Sequence, residues 1–304
     1  MPATPFAATS NSALAVAPHG EAIDPNRLQA VFTPRQAATH KGSFGTVAVL
    51  GGAAGMTGAA LLAARAALCL GAGKVFVGFT QSPSPLPCDP LQPELMCREA
   101  NDVLNGGLGP TVWVAGCGAG DTPYTKQVLT TLFKQRADAV MVLDADALNL
   151  LASGVISDTW VRNAPVVLTP HPTEAARLLG CKAGDIQADR TAAATALSSK
   201  FSAWVVLKGS GTIVCAPNGK FVINTTGNPG LATAGTGDVL AGMIGSLIAQ
   251  DLPLDQAIQG AVWLHGAAAD ACVAAGIGPI GLTASEIAVW ARAVRNQRTY
   301  PRSQ

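Results

Sequence analysis

From residue 46 onward, short and nearly unbroken apolar runs alternate with helix-like runs, and this alternation restricts the fold more than any other feature of the chain. TVAVLGG (46–52), KVFVGF (74–79), TVWVAG (111–116), AVMVLD (139–144), APVVLTP (164–170) and WVVLKG (204–209) read as strands. Between them lie an Ala/Leu helix over 58–73, an amphipathic helix over 122–136 and an Ala-rich helix near 187–200. Strands that are apolar on both faces and separated by helices belong to a mostly parallel sheet that is covered on both sides. The predicted class is α/β, with a mostly parallel central sheet flanked by helices on both faces. TIVCA (212–216) and FVIN (221–224) flank an Asn-Gly pair and read as a hairpin. Three helical stretches, near 238–250, 254–275 and 283–296, close the chain.

Composition removes several function classes. Of 304 residues, 49% are hydrophobic and 13% charged, with a formal net charge of +1. A balance this near zero lacks the bulk charge that holds nucleic acid or an acidic membrane. The run closest to a membrane span, AALLAARAALCLGAG, carries Arg65, and no membrane partner is expected. The cysteines at 69, 88, 97, 117, 181, 215 and 272 form no C-x-x-C and no zinc-ligand spacing with histidine. They read as reduced thiols in a cytoplasmic protein. Residues 1–25 are rich in Ala, Pro, Ser and Thr, lack the layout of a signal peptide, and read as a flexible N-terminal tail. Residues 26–304 read as a single domain.

In open α/β sheets, ligands bind beyond the carboxyl ends of the strands. The unusual residues of this chain fall there: Gly51-Gly52, Gly116-Cys117-Gly118, Asp144-Ala145-Asp146, Pro170-His171-Pro172 and Lys208-Gly209. The common nucleotide signatures are absent. GAGKV has Val75 where a Walker A motif needs Ser or Thr, and GCGAGD ends in Asp121 where the dinucleotide fingerprint needs Gly or Ala. The turn in NPGLATAGTGDVLAG remains as the best phosphate site. A glycine-rich turn entering a helix exposes unpaired amides at the positive end of the helix dipole. Gly235, Thr236 and Gly237 meet that need and read as an anion hole.

Asp238 is the sole charged side chain between Phe221 and Gln250. It reads either as an ordinary helix N-cap or as a general base beside a phosphoryl site. LKGSGTIV (207–214) reads either as a plain tight turn with a surface lysine or as a nucleotide ledge. In PHPTE, His171 reads either as a structural residue or, held rigidly between two prolines, as a site residue, and Glu174 is either a first-turn acid or a site residue. DADALN places one acid as an N-cap and leaves the other facing the crevice. His265, on an apolar helix, reads as a packed residue.

Seven segments in register carry a resemblance over about residues 40 to 295: HKGSFGTVAVLGG, GMTGAALLAARAAL, GCG, LDADALN, LTPHPTE, VLKGSGT and NPGLATAGTGDVLAG. The chain resembles the NAD(P)H-hydrate dehydratases, a branch of the ribokinase-like superfamily. The resemblance implies a ribokinase-like fold and dehydration of the S epimer of hydrated NADH or NADPH. It implies ADP or ATP as co-substrate, with Mg2+. By the same resemblance Asp238 is the catalytic base and also contacts substrate. Ala59, Gly118 and His171 contact the hydrated nicotinamide nucleotide. Lys208, Gly209, Ser210, Gly211, Thr212 and Gly237 hold the adenine nucleotide, and Glu174 holds magnesium through water. Relatives commonly form homo-oligomers, and many carry an epimerase domain in front. About 40 residues precede the match here, so a separate NAD(P)H-hydrate epimerase is the expected functional partner. Thr173, Cys117 and Ala119 depart from the usual family residues. The alternative activity is a ribokinase-like kinase for a vitamin precursor such as a hydroxymethylpyrimidine or a hydroxyethylthiazole. A non-catalytic adenine-nucleotide sensor is a further alternative, which the presence of both Asp238 and Lys208 disfavours.

Overall fold

The computed structural model describes residues 20–135, 138–156 and 164–301. Most of the expected tail, residues 1–19, and Arg136 at the end of the expected amphipathic helix lie outside the described residues. Ten strands form one sheet: β1 (Glu21–Ala22), β2 (Thr46–Gly51), β3 (Lys74–Phe79), β4 (Met96–Glu99), β5 (Val112–Ala115), β6 (Val140–Leu143), β7 (Val166–Leu168), β8 (Trp204–Leu207), β9 (Ile213–Cys215) and β10 (Phe221–Ile223). Their order across the sheet is β1-β10-β9-β8-β7-β6-β5-β2-β3-β4. Every pairing is parallel except those of β9, which runs against both β8 and β10.

The helices are α1 (Thr57–Cys69), α2 (Ala100–Asn105), α3 (Pro123–Gln135), α4 (Ala145–Ala152), α5 (Pro172–Leu179), α6 (Ala183–Ala188), α7 (Arg190–Phe201), α8 (Thr236–Ala249), α9 (Leu254–Ala274) and α10 (Ala284–Thr299). Side chains of a strand alternate between its faces. Val47 and Val49 of β2 therefore join a core with α1, α8, α9 and α10 on one side. Ala48 and Leu50 join α2 to α7 on the other. Burial on both faces explains why these strands read as unbroken apolar runs.

Three local findings differ from the sequence reading. The chain joins the sheet before residue 26: Glu21 and Ala22 pair in parallel with Val222 and Ile223, and Ile23 is buried. The Ala-rich helix near 187–200 is two helices, because Asp189 breaks the run and caps α7 by accepting the Ala192 amide at 2.9 Å. β4 and α2 follow the Pro-rich loop after β3, where periodicity was too short to show them. That loop is pinned to α1 by Arg65, whose guanidinium donates to both carboxylate oxygens of buried Asp89 at 2.6 Å each.

α8 lies against the sheet beneath β2, β5 and β6 and runs beside α1. Gly242 makes this close approach possible, since a Cβ there would collide with the Ala63 backbone carbonyl. From Val239 to Ala249 every residue of α8 is buried. Among the described residues no helix is long and apolar enough to cross a membrane.

Candidate active site

Because β2 and β5 to β8 are parallel, their carboxyl ends open on one edge, and the unusual residues gather there. The turn after β5, Gly116-Cys117-Gly118, is fixed on both sides. The Gly52 amide donates to the Cys117 carbonyl at 3.0 Å and the Ala53 amide to the Gly118 carbonyl at 2.8 Å. Gly118 holds φ +57°, and a Cβ there would stand 2.8 Å from the Ala59 side chain. Two of the proposed substrate residues, Ala59 and Gly118, are therefore in contact. Asp146 accepts the Gly120 amide at 2.7 Å and tethers the far end of the same turn.

After β6, Asp144 is 2% exposed. It stands at the N-cap position of α4 but makes no cap bond there. One carboxylate oxygen, Oδ1, accepts the Thr169 hydroxyl at 2.8 Å and the Lys208 ammonium at 2.5 Å. The next residue, Ala145, holds φ +47°, a left-handed conformation that costs a residue with a Cβ about 1–2 kcal/mol. That strain sits where the backbone turns beside a buried, paired acid.

After β7, His171 and Glu174 cap α5 reciprocally. The His171 Nδ1 accepts the amides of Thr173 at 3.1 Å and Glu174 at 3.4 Å, and the Glu174 carboxylate accepts the His171 amide at 2.7 Å. An Nδ1 that accepts leaves the proton of the neutral ring on Nε2, which lies 3.4 Å from Glu174 Oε1. Burial lowers the His171 pKa, and the Lys208 charge lowers it further. Glu174 is buried, which raises its pKa to about 7 against the opposing pull of Lys208.

After β8, Lys208 turns inward and is no surface lysine. Its ammonium pairs with Asp144 and lies 3.9 Å from Glu174. The turn that follows is held open by glycines, with φ +141° at Gly209 and +66° at Gly211. The Thr212 hydroxyl donates to the Gly209 carbonyl at 2.9 Å. Among the described residues, no hydrogen bond uses the amides of Gly209, Ser210 or Gly211. Successive unpaired amides of this kind form an anion-binding concavity.

The fourth component is the N-terminus of α8. Gly235 is its N-cap in the left-handed region, at φ +91°. Asp238 is the third helical residue, so it does not cap the helix as one sequence reading allowed, and no side chain does so. The Thr236 amide is turned to the Thr233 carbonyl at 3.4 Å, and its hydroxyl faces the Leu231 and Thr233 carbonyls. The amides without an acceptor among the described residues are those of Gly235, Gly237 and Asp238, so Asp238 takes the place of Thr236 in the expected 235–237 set. His265 is packed as expected. It also donates from Nε2 to the Thr236 carbonyl at 2.9 Å, and burial lowers its pKa to about 4.

The four components meet. A Cβ built on Gly237 would lie 3.3 Å from the Lys208 ammonium and 3.8 Å from Asp144 Oδ2. One atom each from Cys117, Asp144 and Asp238 lies within 4.8 Å of the others. Burial and the neighbouring Asp144 charge raise the Asp238 pKa to about 6, opposed by a hydrogen bond from the Cys117 thiol and by Lys208. Burial raises the Cys117 pKa well above the usual thiol value, so it stays a thiol and a donor. The result is a carboxylate poised near neutrality. Beside it stand unpaired amides, a helix N-terminus and a lysine. Magnesium prefers hard oxygen donors and keeps several waters. The Glu174 and Asp144 carboxylates beside Lys208 fit that preference, and the Cys117 thiol does not.

Sequence reasoning left open which acid of DADALN faces the crevice, and it is Asp144 that pairs with Lys208. GCG drew attention to Cys117 without giving it a role. Arg190, whose guanidinium bonds the Lys208 carbonyl, carried no signal, because it opens an Ala-rich helix far from any motif.

A ribokinase-like α/β fold with this constellation at its strand ends defines a nucleotide-using enzyme of small metabolites. A sequence profile described as NAD(P)H-hydrate dehydratase matches residues 47–288. The chain belongs to this family. It is 47% identical over 275 residues to an ADP-dependent (S)-NAD(P)H-hydrate dehydratase of Neisseria meningitidis, covering 90% of this chain and 92% of that protein. A Coxiella burnetii bifunctional NAD(P)H-hydrate repair enzyme is 41% identical over 252 residues, 82% of this chain. The match spans half (50%) of that longer protein. The crystal structure of an ADP/ATP-dependent NAD(P)H-hydrate dehydratase from Bacillus subtilis, co-crystallised with ATP/Mg2+, superposes with a TM-score of 0.82 at 30% identity. It covers 93% of this chain and 100% of its own.

Proposed function

We propose that this enzyme dehydrates the S epimer of hydrated NADH or NADPH, with ADP or ATP as the phosphoryl donor. The observation that carries the reading is the position of Asp238: a carboxylate raised to about 6, beside unpaired amides and within reach of Lys208. The name of the Neisseria relative supports ADP, and that of the Bacillus structure supports either nucleotide. The Asp238 carboxylate takes the proton of the hydroxyl on C6 of the hydrated ring. That oxygen bonds to the terminal phosphorus, and the phosphorus–oxygen bond to the rest of the nucleotide breaks, releasing AMP from ADP or ADP from ATP. The amides of Gly235, Gly237 and Asp238 donate to the phosphoryl oxygens as charge builds on them. The lone pair of the ring nitrogen then expels phosphate by breaking the C6–O bond. Loss of a proton from C5 restores the ring double bond.

Ala59, Gly118 and His171 hold the hydrate on one side. Lys208 and the turn of Gly209–Thr212 hold the nucleotide on the other. Magnesium, held by Glu174 through water, neutralises phosphate charge when bound. The match spans half of the bifunctional Coxiella repair enzyme, which supports pairing this activity with an NAD(P)H-hydrate epimerase.

Absorbance at the reduced-nicotinamide band tests the reading, with hydrated NADH supplied alone, with ADP or with ATP. Recovery that requires a nucleotide and releases free phosphate is expected. Recovery without nucleotide overturns the reading, and a stable phosphorylated product seen by mass spectrometry replaces it with the kinase.

A further inference from the structure

The turn after β8 owes its shape to a residue from another element. Arg190, the first residue of α7, reaches beneath the turn. Its guanidinium donates to the Leu207 carbonyl at 3.1 Å, to the Lys208 carbonyl at 3.4 Å from each terminal nitrogen, and to the Gly211 carbonyl at 3.4 Å. It also touches the Gln187 side chain at 3.3 Å. The fit is close: a Cβ on Gly209 would lie 2.8 Å from the Arg190 guanidinium. A planar fork of five N–H donors can gather several carbonyls on one side of a turn, which a lysine cannot do. A trans peptide points its carbonyl and the next residue's amide opposite ways. Holding the Lys208 carbonyl on Arg190 therefore turns the Gly209 amide away from it, and the amides of Gly209, Ser210 and Gly211 have no acceptor among the described residues.

The charge of Arg190 points the same way. Among the described residues no carboxylate pairs with it, so carbonyl dipoles alone face a partly buried cation. A cation behind a row of amide donors complements a polyphosphate.

We infer that Arg190 is the positioning residue for the nucleotide: it fixes the 208–212 turn in its anion-binding shape and adds an uncompensated positive charge behind it. The inference rests on the reading of that turn as the nucleotide site. Kinetics of Arg190→Ala and Arg190→Lys, with nucleotide and hydrate varied separately and nucleotide binding measured by calorimetry, test it. Arg190→Ala raises the KM and Kd for ADP about tenfold or more, roughly 1.4 kcal/mol. The KM for hydrate and kcat at saturating ADP stay within about threefold. Arg190→Lys, which keeps the charge and most of the packing but loses the fork, gives an intermediate rise and covers the case in which the alanine variant folds poorly. A uniform fall in kcat with unchanged nucleotide affinity overturns the inference. Gly211→Val provides the separate control. If it weakens ADP binding while both Arg190 variants do not, Arg190 is excused and the turn stands. If none of the three changes ADP binding, the turn itself is not the nucleotide site.

Discussion

At its N-terminus α8 leaves the amides of Gly237 and Asp238 without a backbone acceptor among the described residues, behind a left-handed glycine. At its C-terminus the reverse holds. The Gln250 side-chain amide donates to the Ser246 carbonyl at 2.8 Å and to the Leu70 carbonyl, beyond the end of α1, at 2.9 Å. Arg295 of α10 donates to the Leu70 carbonyl at 2.6 Å, to Gln250 at 3.1 Å and to the Val31 carbonyl at 3.0 Å. Arg35 donates to the Gly71 carbonyl at 2.6 Å. Two guanidiniums thus face the negative ends of two helices, an arrangement the dipole favours. One end of α8 keeps donors open for a ligand; at the other the Gln250 amide closes the Ser246 carbonyl, and guanidiniums hold Gln250 and the carbonyls that follow α1. Substitutions at the two ends should therefore separate cleanly into effects on chemistry and effects on stability.

Asp238→Asn gives the largest expected effect. The amide side chain keeps the shape but cannot take the proton, so turnover falls by about 10²–10⁴-fold or more. Nucleotide affinity stays within a few fold, because the turn amides are intact. The folded protein loses no stability and gains some near neutral pH, since a buried charge is removed. Single-turnover assays beside thermal melts check all three. Near-normal turnover would remove Asp238 from the base role and with it the contrast between the two ends.

The pH dependence follows next. A base with a pKa of about 6 gives kcat/KM that rises with pH and levels above that value, falling about tenfold per unit below it. The stability of the free protein should run the other way. The pKa values of Glu174 and Asp238 are raised by folding, to about 7 and about 6. Their contribution is fully present below the unfolded values near 4 and is lost as pH climbs through the folded ones. For the buried Glu174 the loss is on the order of 3 kcal/mol. Melts between pH 5 and 8, with and without nucleotide and magnesium, measure it. A stability that rises over that range would show that the acids are compensated in the free protein.

The sheet was legible because six apolar runs, each bounded by glycine, proline or a charge, need no long-range information to be recognised. β4 and α2 were not, because four and six residues carry too little periodicity after a Pro-rich loop. At the site, the residues inside turns were legible: strand ends and GTGD say where a phosphate can approach a backbone. What remained hidden is relational. The residues of LKGSGTIV left Lys208 open between a surface lysine and a nucleotide ledge, and Asp144, 64 positions away, is what turns it inward. Arg190 bonds carbonyls 17 to 21 positions on and marks itself by no motif. The N-cap reading of Asp238 missed by three positions, since Gly235 could begin the helix earlier than an acid would.

Arg295→Ala probes the closed end. It strips the Val31 carbonyl of its donor and leaves the Leu70 carbonyl with the Gln250 amide alone, at a cost of about 1–3 kcal/mol. Melting temperature should drop by several degrees, while kcat and both KM values measured well below the transition stay within about twofold. A selective loss of turnover in a protein that melts normally would mean that the far end of α8 transmits to the site, and the separation of the two ends would fail.

The smallest effect is expected from Cys117→Ala. Its thiol lowers the Asp238 pKa by donating to the carboxylate, against the larger effects of burial and of the Asp144 charge that raise it. Alanine removes the donor and leaves the turn, which is set by Gly116, Gly118 and the bonds to Gly52 and Ala53. The acid limb of the kcat/KM profile should therefore move upward, while activity at pH 8, where the base is ionised in both proteins, changes by less than about threefold. Cys117→Ser, with a stronger donor in the same place, should move the limb back down. Because the open end of α8 lacks any side-chain cap, this thiol is one of the two groups that lower the Asp238 pKa, Lys208 being the other. An acid limb that stays fixed in both variants would assign the whole balance to Lys208.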